Sequence, residues 1–277
     1  MRLLRLARSL SSATLGSLLL TAPADGQETT RVSVDSAGAE GNGASDGSRA
    51  ISADGQIVAF WSAASNLVSG DTNGYADVFV HDRSTGITER VSVDSSGVEG
   101  NGFSSSPAIS ADGRIVAFYS SATNLVSVDT NGWQDVFVHD RSTGVTELVS
   151  VRSNGKQGND DSSGPAISTD GQIVSFSSVA TNLVAGDTNG VDDAFVHDRS
   201  TGITERVSVD SSGTVEGNDH SVGPSISADG QVVAFHSQAS NIVAGDTNGT
   251  QDIFVHDRST GLTERVGVDS FGTEGNS

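Results

Sequence analysis

The chain has 277 residues, with 35 acidic and 15 basic side chains, six histidines and no cysteine, for a formal charge of −20. So acidic a balance excludes nucleic acid and anionic membrane as expected partners, because both are bound through basic surface. The lack of cysteine excludes a disulfide framework, a thiol nucleophile and cysteine-based metal sites, so the fold must hold by core packing or with a hard-metal clip.

Residues 1–24 read as a secretory signal. Arg2, Arg5 and Arg8 form its positive region, Leu10 to Leu20 its apolar core, and Ala22-Pro23-Ala24 its cleavage site. The apolar run is shorter than the ~20 residues a membrane span needs, so no membrane insertion is expected and the protein reads as secreted or periplasmic. Without this segment 12 basic residues face 35 acidic ones, a charge of −23, and Lys156 is the only lysine. Residues 25–30 read as a short linker and residues 31–277 as one repeat domain.

The repeat is anchored on Ile51-Ser52-Ala53-Asp54-Gly55-Gln56-Ile57-Val58-Ala59-Phe60, followed by Asp71-Thr72-Asn73-Gly74 and Asp77-Val78-Phe79-Val80-His81-Asp82. It returns from Ile109, Ile167 and Ile226, at spacings of 58, 58 and 59 residues. A fixed period of this length marks units that bury their apolar faces by stacking on copies of themselves.

The second copy shows what one unit contains. Ala108-Ile109-Ser110 follows Pro107, which is tolerated at a strand start. Asp112-Gly113 is a hairpin signal leading into Ile115-Val116-Ala117-Phe118. Asp135-Val136-Phe137-Val138-His139 then turns through Arg141-Ser142-Thr143-Gly144 into Glu147 to Val151. Like Arg90-Val91-Ser92-Val93-Asp94 one copy earlier, this last run alternates apolar and polar residues, the pattern of a strand. Four short strands per unit predict an all-β fold, a β-propeller of four-stranded blades with four complete repeats. Either it closes as a four-bladed ring or it is an arc of a larger one. An arc would expose open sheet edges and invite self-association.

The Ser-x-Asp-Gly-x-x-Val-Ala-Phe pattern, with Asp-Val-Phe-Val-x-Asp and a Thr-Gly turn after it, resembles the TolB-like, WD-like β-propeller repeat of exported bacterial proteins. The resemblance covers residues 31–277. It implies a propeller of a kind that serves as a binding platform or as an accessory domain of peptidases. It extends to the repeat and not to TolB as a whole, whose separate N-terminal α/β domain has no counterpart in this sequence.

Up-and-down strand order places alternate connections at the same end of a blade. Asp54-Gly55 and Arg83 to Gly86 are tight turns at one end. Ser62 to Ala76 and Ser95 to Ser106 are long and share the other, which makes that face the candidate for binding. It carries Asp71, Asn73 and Asp77, repeated as Asp129, Asn131 and Asp135, as Asp187, Asn189 and Asp193, and as Asp246, Asn248 and Asp252. Asp and Asn at alternate positions beside a glycine are the oxygen donors of calcium loops, although the fifth- and twelfth-position acids of an EF-hand are missing. The competing reading is an Asx-turn in which the side chains bond their own backbone. Between the glycine and the last Asp the sequence drifts, through Tyr75-Ala76, Trp133-Gln134, Val191-Asp192 and Thr250-Gln251, while the Asp and Asn positions hold. Ca²⁺ as a structural cofactor is therefore an expectation beside the turn.

His81, His139, His197 and His256 fall on separate third strands, so they are expected to make structural hydrogen bonds and not one metal site. Gly43-Ala44-Ser45-Asp46-Gly47 fits G-x-S-x-G but lacks the strand and helix a nucleophile elbow needs. Candidate ligand contacts lie where the copies differ: Arg49 in place of Pro107, Pro165 and Pro224, Tyr75 and Trp133 in the acidic loops, and Lys156. The leading expectation is an exported, non-enzymatic scaffold that binds a protein or polysaccharide through its long-loop face. The alternatives are a propeller hydrolase acting on glycans through an acid pair, and a purely structural surface repeat without ligand.

Overall fold

Consecutive runs of four strands form four antiparallel sheets, each in simple meander order. Blade 1 holds β1 (Ser45–Ile51), β2 (Ile57–Ser62), β3 (Asp77–Asp82) and β4 (Ile87–Arg90). Blade 2 holds β5 (Ser104–Ile109), β6 (Ile115–Ser120), β7 (Asp135–Asp140) and β8 (Val145–Leu148). Blade 3 holds β9 (Ser162–Ile167), β10 (Ile173–Ser178), β11 (Asp193–Asp198) and β12 (Ile203–Arg206), and blade 4 holds β13 (Ser221–Ile226), β14 (Val232–Ser237), β15 (Asp252–Asp257) and β16 (Leu262–Arg265). This is a computed structural model that describes residues 29–270, without the side chains of residues 47–49. The expected signal segment 1–24 and most of the linker lie outside the described residues. Among the described residues there is no helix, and hence none long and apolar enough to cross a membrane.

The fourth strands begin and end earlier than the alternating pattern predicts. β4 stops at Arg90, and Ser92 shows why: its hydroxyl accepts from Val78 N at 3.1 Å, so a side chain replaces the next backbone rung. Val91 still donates to Val78 O at 2.9 Å while its side chain is buried in the cluster shared with blade 2, and beyond it Val93 gives its carbonyl to Thr146 of blade 2. The innermost strands run further back than predicted, because a bulge next to each proline lets the ladder resume. Ser106 (φ 49°) forms it in β5, and Gly164 (φ 61°) and Gly223 (φ 64°) form it in β9 and β13.

The core lies between blades. Phe118 and Phe137 are cross-strand partners with ring centroids 6.0 Å apart, and they pack with Val116 of blade 2 against Val78, Val80 and Val91 of blade 1. The same interlock joins blades 2 and 3, and blades 3 and 4. Among the described residues the strands of blades 1 and 4 do not pack face to face as consecutive blades do, so the four blades form an open arc. What the arc leaves exposed at its ends is blade faces, where the sequence suggested strand edges.

Candidate functional site

The two long connections of blades 1, 2 and 3 do meet, as the meander order requires. In blade 1, Asn42 and Asn66 stitch residues 40–42 to residues 65–66, and Asn101 and Asn124 repeat the stitch one blade later. Behind this stitch lies the Asp-x-Asn-Gly-x-x-Asp loop.

Asp77 opens β3 and is fully buried; its Oδ1 accepts from Ser92 Oγ at 2.6 Å. Asn73 forms the Asx-turn, with Oδ1 accepting from Tyr75 N at 2.7 Å. Its Nδ2 donates to Asp77 Oδ2 at 3.1 Å and to Gly100 O at 2.9 Å. Asp71 comes in beside them. The predicted triad is therefore brought together, but a cation already sits in it. Arg90 Nη1 lies 3.2 Å from Asp77 Oδ2, 2.7 Å from Glu99 Oε2 and 3.7 Å from Asp71 Oδ1. Blade 3 repeats the cluster with Arg206 Nη1 at 3.2 Å from Asp193, 2.7 Å from Glu216 and 3.6 Å from Asp187. In blade 4, Arg265 Nη1 lies 3.2 Å from Asp246 and 3.3 Å from Asp252, and Asn248 bonds Asp252. In blades 1 and 3 the guanidinium ties the end of the fourth strand to both long loops.

Blade 2 breaks the rule at two places together. Leu148 stands where the other blades have arginine, and Gln157 stands where Glu99 and Glu216 stand. Gln157 Nε2 donates to Asp129 Oδ1 at 2.8 Å and to Asp135 Oδ2 at 2.9 Å, and Asn131 Nδ2 adds a bond to Asp135 at 3.0 Å. No cationic side chain joins them among the described residues, and Asp129 Oδ2 is buried without a hydrogen-bond partner. Burial pushes the Asp135 carboxyl up to about 6 and raises that of Asp129. Asp187 is also pushed up to about 6, first by burial and then by Asp193, against the pull of Arg206.

Sequence reasoning found the acids and missed the arginines and glutamates that complete the cluster. The signal was present: Arg90, Arg206 and Arg265 recur with the repeat, and Leu148 departs from them in the same copy in which Gln157 departs from Glu99 and Glu216. A charge and its counter-charge lost together point to contact.

The histidines make the structural bonds expected of them. Thr146 Oγ1 donates to Val93 O of the previous blade at 2.5 Å, so its oxygen accepts from His139 Nδ1 at 2.9 Å, which fixes the proton on Nδ1. His81, His197 and His256 pair with Thr88, Thr204 and Thr263 in the same way. Burial holds all four rings below the usual histidine range.

Of the speculative contacts, Tyr75 and Trp133 stand exposed on the loop face at 52% and 45%, and Lys156 is exposed in a loop of the same face. Arg49 lies on β1, with its side chain outside the described residues. Trp61 and Tyr119 flank Phe103 at 6.2 and 6.1 Å and pack on the inter-blade clusters, so they belong to packing. A central cavity of about 560 Å³ between the inner strands is lined by small and apolar residues such as Ile51, Pro107, Pro165 and Ser225, and no acid lines it.

No family model matches the chain, and no curated protein does. Solved structures do. The chain is similar to TolB from Acinetobacter baumannii, with 20% identity over 81% of this chain and 43% of that one and a TM-score of 0.49. It is similar to a prolyl endopeptidase, with 15% identity over 85% and 29% and a TM-score of 0.49. It is also similar to the β-propeller domain of the Trilobed protease from Pyrococcus furiosus, with 10% identity over 81% and 57% and a TM-score of 0.47. These neighbours are TolB and other β-propeller proteins. The chain spans less than two thirds of the length of each.

Proposed function

We propose that the protein is an exported, non-enzymatic β-propeller scaffold that binds a protein or polysaccharide through its long-loop face. The observation that carries this reading is the placement of Tyr75 and Trp133, two exposed aromatic rings on the long-loop face. Exposed rings on a rigid base offer large contact area at little cost in side-chain freedom. A glycan array and a displayed peptide library, screened with the protein and with its Tyr75→Ala/Trp133→Ala variant, test it. A ligand held by the protein and lost by the variant, with the fold intact by circular dichroism, is the expected result. A ligand held equally by both moves the site off this face.

We further propose that Ca²⁺, as a structural ion, is taken by the loop of blade 2, at the carboxylates of Asp129 and Asp135, with Asn131 holding the turn that carries them. In blades 1, 3 and 4 arginine neutralises the same acids. Two buried carboxylates without a cation favour uptake of one, or of a proton. The sign of the proton effect follows from the raised pKa of Asp135: its contribution to stability is present below the ordinary carboxylate value near 3.8 and is lost as pH rises through about 6. The depressed histidines act in the opposite sense, their contribution being present above 6.5 and lost as pH falls below it. Leu148→Arg supplies the missing guanidinium, so the difference between the variant and the unaltered protein isolates blade 2. The variant's advantage in thermal midpoint should be large at pH 7.5 and shrink toward pH 5. Millimolar Ca²⁺ after EDTA should raise the midpoint of the unaltered protein by ~3–6 °C, the size expected of an ion at ten times its Kd. Mg²⁺ should not, and the variant should be indifferent to both. A calcium response that survives Leu148→Arg, or none at all, defeats the metal reading.

A further inference from the structure

Each of the three junctions inside the arc is built from the same contacts. Between blades 1 and 2, Val78 and Val80 close on Val116 and Phe118, and Ala53 N donates to Ala111 O at 2.9 Å. At the rim, Glu89 accepts from Arg141. Gly113 lies so close over Ile57 that a Cβ there would come within 2.6 Å of Ile57 Cγ1. The next two junctions repeat the rim pair as Glu147 with Arg199 at 2.9 Å and Glu205 with Arg258. They repeat the backbone bond as Ala111 N to Thr169 O and Thr169 N to Ala228 O, each at 2.9 Å.

The two ends of the arc carry the two unmatched halves of one more such junction. On blade 4, Ile253 stands where Val78, Val136 and Ala194 are fully buried, and it is 44% exposed. Glu264, the counterpart of Glu89, has no ion-pair partner among the described residues. On blade 1, Val58 is only half-buried where Val116 is fully covered by a neighbouring blade, and together with Phe60, which is already buried within its own blade, it lines an apolar cavity of about 440 Å³. Arg83, the counterpart of Arg141, bonds Gly55 O at 2.7 Å but has no ion-pair partner among the described residues.

We propose that blade 4 of one copy docks on blade 1 of a second copy, head to tail. Ile253 and Val255 then cover Val58 of the second copy and close its cavity, and Glu264 pairs with its Arg83. The occupant is a second copy because each end presents what the other end has already been shown to fit three times over, apolar face on apolar face and acid on base. One feature of blade 1 narrows the contact. Thr88 Oγ1 donates to Val34 O at 2.5 Å as Thr146 does to Val93, so residues from Val32 onward already fill the place that Val91 and Val93 take on blade 2. The docking copy therefore brings the strands β14–β16, and its Val266 finds that seat taken. A contact that uses different patches on the two copies is heterologous, and closes as a ring or runs on as a ladder according to its rotation.

Sedimentation velocity on the protein, Arg83→Glu, Glu264→Arg and the double variant decides it. The protein should associate with concentration. Each single reversal should weaken association at least ~10-fold, and the double variant should recover most of it, as expected for a pair that meets across an interface. Ile253→Asp should abolish association with circular dichroism unchanged. A protein that stays monomeric from micromolar to submillimolar concentration overturns the proposal. So does association that none of these substitutions alters.

Discussion

Replacing Arg206 by leucine is expected to lower the stability of the protein by about 3–5 kcal/mol in urea unfolding at pH 7, the cost of leaving buried charge without its partner. Asp187, Asp193 and Glu216 hold carboxylate oxygens within 4.8 Å of one another, and Arg206 Nη1 reaches all three. Its removal leaves acids that cannot all stay ionised, so the loss should shrink at pH 5, below the value of about 6 to which Asp187 is already raised. Blade 2 shows how the loss can be offset, since Leu148 there is accompanied by Gln157, which donates to both acids. Glu216→Gln, made in the Arg206→Leu background, should recover about half of the loss by removing one charge and supplying two donors. A cost below ~1 kcal/mol for Arg206→Leu, or a glutamine that destabilises further, would show that the loops do not depend on the arginine.

Phe137→Ala is the second large effect, expected at about 3–5 kcal/mol by the same measurement. Phe137 is fully buried, stacks on Phe118 and belongs to the cluster that joins blade 2 to blade 1. Its deletion opens a cavity at a junction between blades, so the loss of apolar burial falls on the contact that holds the arc together. Phe79→Ala serves as the comparison. Phe79 is equally buried, yet its cluster holds only Phe60, Ala64 and Leu67, with Val68 beside it, all from blade 1. It should cost less than Phe137→Ala. Equal costs would mean that burial within a blade, and not the joint between blades, sets the stability.

Stability that depends so much on joints bears on how the acid loops are read. The loops resemble metal loops in sequence because both uses need short oxygen-bearing side chains around a glycine turn. In three blades the arginine at the end of the fourth strand has taken the central position, and Asn73 and its copies serve the Asx-turn as well. Only blade 2 leaves its two acids with hydrogen-bond donors and no cationic side chain among the described residues. That difference turns a fourfold expectation into a proposal about one loop.

What the sequence determined by itself was the repeat and everything that follows from local spacing. The 58-residue period, the hairpin at Asp112-Gly113, the turn at Arg141 to Gly144 and the alternation of Arg90 to Asp94 are statements about neighbours in the chain, and the residues involved state them directly. The shared face of the long loops was legible for the same reason, because meander order fixes which connections lie together. Tertiary structure decided the rest. Arg90 meets Asp71 across 19 positions of chain only because β4 returns beside the loop before β3, and nothing local marks that approach. That the chain leaves its sheet after Val91 depended on Ser92 taking the place of a backbone rung. Ring closure was the least legible feature. Every blade carries nearly the same two faces, so the residues of one repeat cannot say which face is left uncovered; among the described residues, the exposure of Ile253 and the lack of an ion-pair partner for Glu264 and Arg83 mark the uncovered faces.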